Sequence, residues 1–318
     1  MVDVLGIDVG KVQLHAVLLQ GEQTARKAVD NTSKGHQQLL AWLKNRKVRE
    51  LHVCLEATGI YGEILAETLH DFGYIVSVVN PVQIKSFGRS AMVRTKTDRV
   101  DALIVAQFCR SQKPAAWTPP PQEIRDFRAL LRRRETLQQM ITAEKNRLEG
   151  VSSVQVRRSI KVVLKSLQRE LTALEKSIDD HLDSHPDLRG TVERLDEIPG
   201  MGPLTAMKIV AETNGFSVCD TARELVAYAG LNPRHYQSGT ITRRGRISRI
   251  GNAALRKALY YAALSAKNHS SYFRAFVDRL KAAGKRPKVI ITAIMRKLLV
   301  LAHTLVHNQT RFNPALGA

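Results

Sequence analysis

Short apolar runs and helical patterns alternate along the chain up to Gln112. Val2 to Asp8 and Val12 to Leu19 are apolar and rich in β-branched residues, and Val9-Gly10-Lys11 between them makes a hairpin. Residues 24–31 supply a third strand. Ser33 opens a helical pattern with Leu39, Leu40, Trp42 and Leu43 on one side. Leu51 to Leu55 reads as a buried strand, Tyr61 to Phe72 as a helix and Tyr74 to Val79 as a strand. Asn80-Pro81 reads as a turn, and Asp98 opens a helix that runs to Arg110. The order is three strands, helix, strand, helix, strand, helices. Its first connections are hairpins rather than crossovers, which predicts an RNase H-like sheet and not a doubly wound one.

Trp117-Thr118-Pro119-Pro120-Pro121 is a stiff break. Two long helical stretches follow, separated by Gly150-Val151-Ser152-Ser153. In the second, Ile160, Leu164, Leu167, Leu171, Leu174 and Ile178 alternate steps of four and three, a heptad seam. In the first, Leu130, Leu137, Ile141 and Leu148 follow a weaker pattern interrupted by Arg134 and Glu144. The pair predicts an antiparallel helical hairpin, and the seam either closes on its neighbour or pairs with another subunit. From Asp187 onward the pattern is helical. Ile198-Pro199-Gly200-Met201-Gly202-Pro203-Leu204 lies between two helical patterns and has the form of a helix-hairpin-helix turn. Gly200 and Gly202 there would let backbone amides approach a phosphate, or serve only as caps of a tight turn. The expected organisation is a catalytic domain over 1–115, a linker and helical hairpin over 116–186, and a helical domain over 187–318.

Composition sharpens this picture. At ~150 residues per domain, 318 residues make about two domains, and a hydrophobic share of 44% excludes wholesale disorder. The longest stretches free of Asp, Glu, Lys and Arg run from Phe72 to Ile84 and from Leu298 to Thr310. A membrane helix needs ~20 apolar residues, so no spanning segment is expected. The first residues carry Asp3 and Asp8 and no basic region, unlike a signal peptide. Cys54, Cys109 and Cys219 are odd in number and far apart, which fits a reducing cytoplasm rather than a disulfide framework. Cys54 and Cys109 lie on apolar elements and are expected in the core. The histidines show no zinc-ligand spacing.

Lys plus Arg number 49 against 29 Asp plus Glu, a net charge of +20 and a pI near 10.2. From Leu225 to Ala318 there are seventeen basic residues and one acidic one, Asp278. So one-sided an excess points to a polyanion partner, and first to nucleic acid.

Four carboxylates stand out by position. Asp8 lies in GIDVGK on the first strand, and Glu56 in CLEATGIYG at the end of a buried strand. Asp98 and Asp101, in KTDRVDA, share one face of a helix start. A carboxylate at the end of an apolar strand is costly unless paired or metal-bound, and a pair of Mg²⁺ ions would relieve the repulsion of several converging ones. Taken singly, Asp98 reads equally as an N-cap, Asp101 as a first-turn anion and Asp8 as a turn residue.

These motifs, with Asn80-Pro81 and, later, IPGMGPLTA, YAGLNPRHYQSG and ISRIGNAALRKALY, resemble the IS one-ten family of insertion-sequence transposases. The resemblance runs in order over essentially the whole chain. It implies a RuvC-like N-terminal domain in which Asp8, Glu56, Asp98 and Asp101 bind Mg²⁺ or Mn²⁺. It implies a C-terminal Tnp domain whose serine nucleophile is Ser238, in Gln237-Ser238-Gly239. Such a serine needs a base or metal to activate it. Arg234, Arg243, Arg244, Arg246 and Arg249 lie around it and suit phosphate. Ser248 is a rival outside the family motif, and sequence alone would make Ser238 a plain turn residue. The family's partners are donor and target duplex DNA and an element-encoded guide RNA, bound by a homodimer that becomes a tetramer. The implied setting is the bacterial cytoplasm at the nucleoid. A Piv-type DNA invertase, a Holliday-junction resolvase and a non-catalytic nucleic-acid-binding protein are the alternatives.

Overall fold

The computed structural model describes residues 2–57, 59–92, 97–238 and 241–316, with side chains at all of these except 60, 235–238, 241–246 and 316. Contacts divide the chain into two units, Met1–Pro119 and Pro120–Ala318. The boundary thus falls inside the proline run, and the helical pair expected as a middle segment groups with the C-terminal helices.

The first unit contains β1 (Asp3–Val9), β2 (Gln13–Gln20), β3 (Gln23–Asp30), α1 (Ser33–Asn45), β4 (Leu51–Glu56), α2 (Ile60–Asp71), β5 (Ile75–Val79), α3 (Pro81–Ser90) and α4 (Asp98–Gln112). The five strands form one mixed sheet in the order β3-β2-β1-β4-β5. The hairpin-connected strands β1, β2 and β3 pair antiparallel, and β1, β4 and β5 pair parallel. This is the RNase H-like order that the hairpin-first pattern predicts.

Alternation along the strands fills two cores. Leu5 and Ile7 of β1 and Val53 of β4 join Leu39 of α1 and Leu65 of α2 on one face. Val4 and Cys54 join Ile84 of α3 and Ala102 and Cys109 of α4 on the other. One element differs from the expected turn at Asn80-Pro81: the pair starts α3. The Asn80 side chain accepts from the Val82 amide at 2.9 Å, and Pro81 takes the first helical position, where its missing N–H costs nothing. Past α4 the chain returns to the sheet edge. There the Trp117 amide donates to the Val76 carbonyl at 2.7 Å, and Ser77 Oγ donates to the carbonyls of Pro114 and Ala115.

The close approach of α4 to β1 depends on Gly6. A Cβ there would lie 2.1 Å from the Ala106 backbone nitrogen and 2.5 Å from the Ala102 carbonyl oxygen. Gly6 on the strand and two alanines one helical turn apart let helix and sheet meet at backbone distance.

The second unit contains α5 (Gln122–Glu149), α6 (Val154–Ser184), α7 (Pro186–Asp196), α8 (Pro203–Glu212), α9 (Ala222–Tyr228), β6 (Pro233–Ser238), β7 (Ile241–Ile247), α10 (Ala253–His269), α11 (Ser271–Ala282) and α12 (Pro287–His307). Helices α5 and α6 form the antiparallel hairpin, and the seam closes on it: Ile141 of α5 packs with Ile160 and Leu164, flanked by half-buried Leu167 and Leu171. The far end of the hairpin, through Phe127, Ile178 and Leu182, belongs to the main helical core. Helix α12 is long and apolar enough to cross a membrane by length and composition. Here one face of it, with Ile294, Leu298 and Ala302, lies inside that core. The C-terminal third is not all helix, as its pattern suggested. β6 and β7 make an antiparallel hairpin with an irregularity between Arg234 and Tyr236. These strands are rich in Arg and polar residues, so no apolar alternation announces them.

Gly6→Ala should destabilise the protein by about 1–3 kcal/mol, because the methyl meets backbone rather than a movable side chain. The midpoint of urea unfolding measures this. A variant as stable as wild type would show that α4 does not rest on β1.

Candidate active site

In the first unit, strand periodicity aims two carboxylates at α4. Asp8 lies on the same side of β1 as Val4 and Gly6, and Glu56 on the same side of β4 as Cys54, the face that α4 covers. On α4, Asp98 and Asp101 stand in the first turn. The N-cap is Thr97, whose side chain accepts from the Val100 amide at 3.3 Å. The capping alternative for Asp98 is therefore taken by its neighbour, and the Asp98 carboxylate projects from the helix, largely exposed.

The four carboxylates act on one another. Asp8, half-buried, has its pKa raised from an ordinary 3.8 to about 6. Burial is the largest cause, followed by the charges of Asp101, Asp98 and Glu56. His15 opposes this weakly. It faces Asp8 across the β1–β2 ladder, and its Nε2 lies 3.5 Å from Asp98 Oδ2. Sequence reading missed His15, although the β1–β2 hairpin already sets residue 15 opposite residue 8. Beside it a small cleft of about 190 Å³ is lined by His15, Arg26, Lys27 and Arg99. Among the described residues, no three His, Cys, Asp or Glu side chains form a finished metal-ion set. The donor chemistry suits a hard divalent cation, since four carboxylates converge beside the single imidazole of His15 and their repulsion already burdens Asp8. Cys54 and Cys109 are buried in the adjoining core, where the Cys109 thiol donates to the His52 carbonyl at 3.7 Å.

In the second unit, Ser238 ends β6, where its backbone pairs with Ile241 of β7. The side chains of Ser238, Arg243, Arg244 and Arg246 lie outside the described residues. Arg234 and Arg249 are exposed. The base of the hairpin is tied down. The amides of Ser248 and Arg249 donate to the carbonyls of Asn232 and Gly230, and Arg256 Nη1 donates to those of Ala229 and Gly251 at 2.9 and 3.1 Å. Asn252 caps α10 by accepting from the Leu255 amide, and its Nδ2 donates to Glu212 Oε2 at 2.7 Å. The YAGLNPR and ISRIGNAALRK segments therefore hold each other and the strand that carries Ser238. Gly200 has a second reason to be glycine: at φ +90° it packs against α10, where a Cβ would lie 2.6 Å from Ala266. Gly202, just before α8, faces open space.

A raised carboxyl pKa means that ionising Asp8 costs folding stability between about pH 3.8 and 6, with the full cost above that range. In EDTA, Asp8→Asn should therefore melt higher than wild type at about pH 8, and the difference should vanish near pH 4. Thermal unfolding across that range checks this. A variant less stable than wild type at the alkaline end would contradict the crowding of charge around Asp8.

A family model described as a transposase, the DEDD type of IS110, matches residues 5–151, and one described as the transposase IS116/IS110/IS902 family matches residues 192–278. A pilin gene-inverting protein of Moraxella bovis is 31% identical over 313 residues, 97% of each chain. The transposase for insertion sequence element IS1111A of Coxiella burnetii is 25% identical over 248 residues, 67% of each chain. Among solved structures, T. thermophilus RuvC in complex with a Holliday junction substrate aligns with 36% of this chain and 99% of that one, at 15% identity and a TM-score of 0.28. With both halves matched in order, the chain belongs to the IS110 family of DEDD transposases, enzymes that cut and rejoin DNA strands.

Proposed function

We propose that the chain is an RNA-guided DNA recombinase that mobilises an insertion sequence. The observation that carries the chemistry is the convergence of Asp98, Asp101 and Glu56 on a half-buried Asp8. In this reading the first unit is a RuvC-like nuclease domain, and Asp8, Glu56, Asp98 and Asp101 hold Mg²⁺ or Mn²⁺. When bound, the metal supplies charge neutralisation at the scissile phosphate and activates the attacking oxygen. Ser238 Oγ forms a bond to phosphorus as the bond to one deoxyribose oxygen breaks. The resulting phosphoserine keeps the bond energy for rejoining. His15 orients Asp98 from the neighbouring strand. Arg234 and Arg249, with Arg243, Arg244 and Arg246, hold the phosphates, and the amide of Gly202 offers a further contact. Guidance by an element-encoded RNA rests on the motif resemblance and on the basic C-terminal third. The assembly is a dimer with RNA and a tetramer with both DNAs. Within the chain the heptad seam packs on α5, and its half-buried Leu167, Leu171 and Leu174 are the positions whose replacement by Asp tests whether it also pairs subunits. The enzyme works in the bacterial cytoplasm, at the nucleoid.

A second reading has its own support. The Moraxella bovis relative matches end to end and is named for inverting a pilin gene. An invertase would use the same tetrad on a fixed pair of sites. A copurifying RNA that matches the DNA beside the gene favours the first reading; an invertible flanking segment with no such RNA favours the second.

Asp8→Asn, Glu56→Gln, Asp98→Asn and Asp101→Asn should each abolish strand cleavage while RNA binding persists, and EDTA should do the same to wild type. Full cleavage in EDTA would end the metal role. Ser238→Ala should remove a covalent protein–DNA adduct that wild type forms on a denaturing gel with labelled DNA. Loss of the adduct in Ser248→Ala, with retention in Ser238→Ala, would move the nucleophile to Ser248.

A further inference from the structure

A groove in the second unit lies apart from the residues assigned above. A cavity of about 220 Å³ opens between α5, α8 and α10 and continues along α5 into a second hollow of about 460 Å³. Both share Glu135, Lys208 and Lys257. The Glu135 carboxylate is gripped from two helices: Lys208 Nζ donates to Oε2 at 3.1 Å, and Lys257 Nζ donates to Oε1 at 2.5 Å. These contacts hold its pKa below the ordinary carboxylate value, with the Lys257 hydrogen bond the largest cause. The pair is a cradle for one anion with two charged donors. At the rim stands Tyr261, 62% exposed, its ring edge-to-face with Tyr260 at 5.7 Å between centroids. The second hollow is lined by the amides of Gln138, Gln139 and Asn146.

We infer that this groove binds an unpaired nucleic-acid strand, with a backbone phosphate taking the place of the Glu135 carboxylate between Lys208 and Lys257 and a base stacking on Tyr261. Three features single out this occupant. The lysine pair matches a phosphate, and lysine serves phosphate as a mobile point charge. An exposed ring beside a cationic groove is the stacking platform that single-strand binders use. A cavity of about 220 Å³ between three helices admits a single strand more readily than a duplex. Glu135 is then a built-in competitor that a strand displaces. An enzyme that cuts and exchanges strands produces unpaired ones.

Binding of fluorescent single-stranded DNA, single-stranded RNA and duplex DNA, in EDTA, tests this without engaging the acidic site. It therefore stands or falls apart from the recombinase reading. Glu135→Gln should tighten single-strand binding by about two- to fivefold, as release of a half-exposed ion pair implies. Glu170→Gln, which frees Arg169 on α6 and lines neither hollow, removes the same charge and should have less effect. Lys208→Gln and Lys257→Gln should each weaken binding and lower its salt slope by about 0.7. Tyr261→Ala should weaken it ~5-fold or more and Tyr261→Phe should not. The tighter of the DNA and RNA arms names the source of the strand. Equal effects of Glu135→Gln and Glu170→Gln would overturn the inference, and so would effects of the lysine variants confined to duplex. Circular dichroism melts accompany each variant, and the Glu135 and Tyr261 comparisons decide the matter should a lysine variant unfold.

Discussion

The contact of α4 with β1 is the constraint on which the first unit depends. Helix and strand meet at backbone distance because Gly6 carries no side chain and Ala102 and Ala106 carry the smallest. That approach sets the start of α4 over the end of β1, and so brings Asp98 and Asp101 near enough to Asp8 to raise its pKa. A larger residue at position 6 would act on the site through geometry alone, without touching a carboxylate. The cost of the arrangement is electrostatic, since burial and three like charges all disfavour ionised Asp8.

The second unit solves a different problem. Its β6–β7 hairpin is polar and arginine-rich, so it has little apolar surface with which to hold itself in place. Hydrogen bonds from Arg256, Asn252 and the amides of Ser248 and Arg249 supply what packing does not. Each anchor belongs to a segment next to the hairpin in sequence or to the start of α10, so a compact network positions the strand that ends in Ser238. The same unit brings Lys208 of α8 and Lys257 of α10 onto Glu135 of α5, a contact made by three helices at once.

Much of this architecture is legible in the chain. Period-two runs joined by short hairpins leave few sheet orders open, so the RNase H-like order of the five strands follows from the pattern. The two long helices, the proline break and the basic C-terminal third read equally directly, and the spacing of Asp98 and Asp101 places them on one helical face. Other features carry no such signal. Asn80-Pro81 looks the same as a turn and as the start of α3, because both use the same capping chemistry. The heptad seam has one pattern whether its partner is α5 or another chain. The β6–β7 strands are polar and arginine-rich in sequence, so no apolar alternation marks them.

By itself, then, the sequence determined the order of the elements, the sign of the partner's charge and the four carboxylates that could share a site. Local periodicity and fixed residue chemistry carry that information. Only the tertiary structure decided that Thr97, not Asp98, caps α4, that His15 reaches Asp98, that Gly200 serves helix packing, and that the seam closes on α5. It alone placed Lys208 and Lys257, 73 and 122 residues beyond Glu135 in the chain, around a single carboxylate. Contacts between residues so far apart leave no periodic trace along the chain, because they depend on how whole helices pack and not on what stands next to each residue.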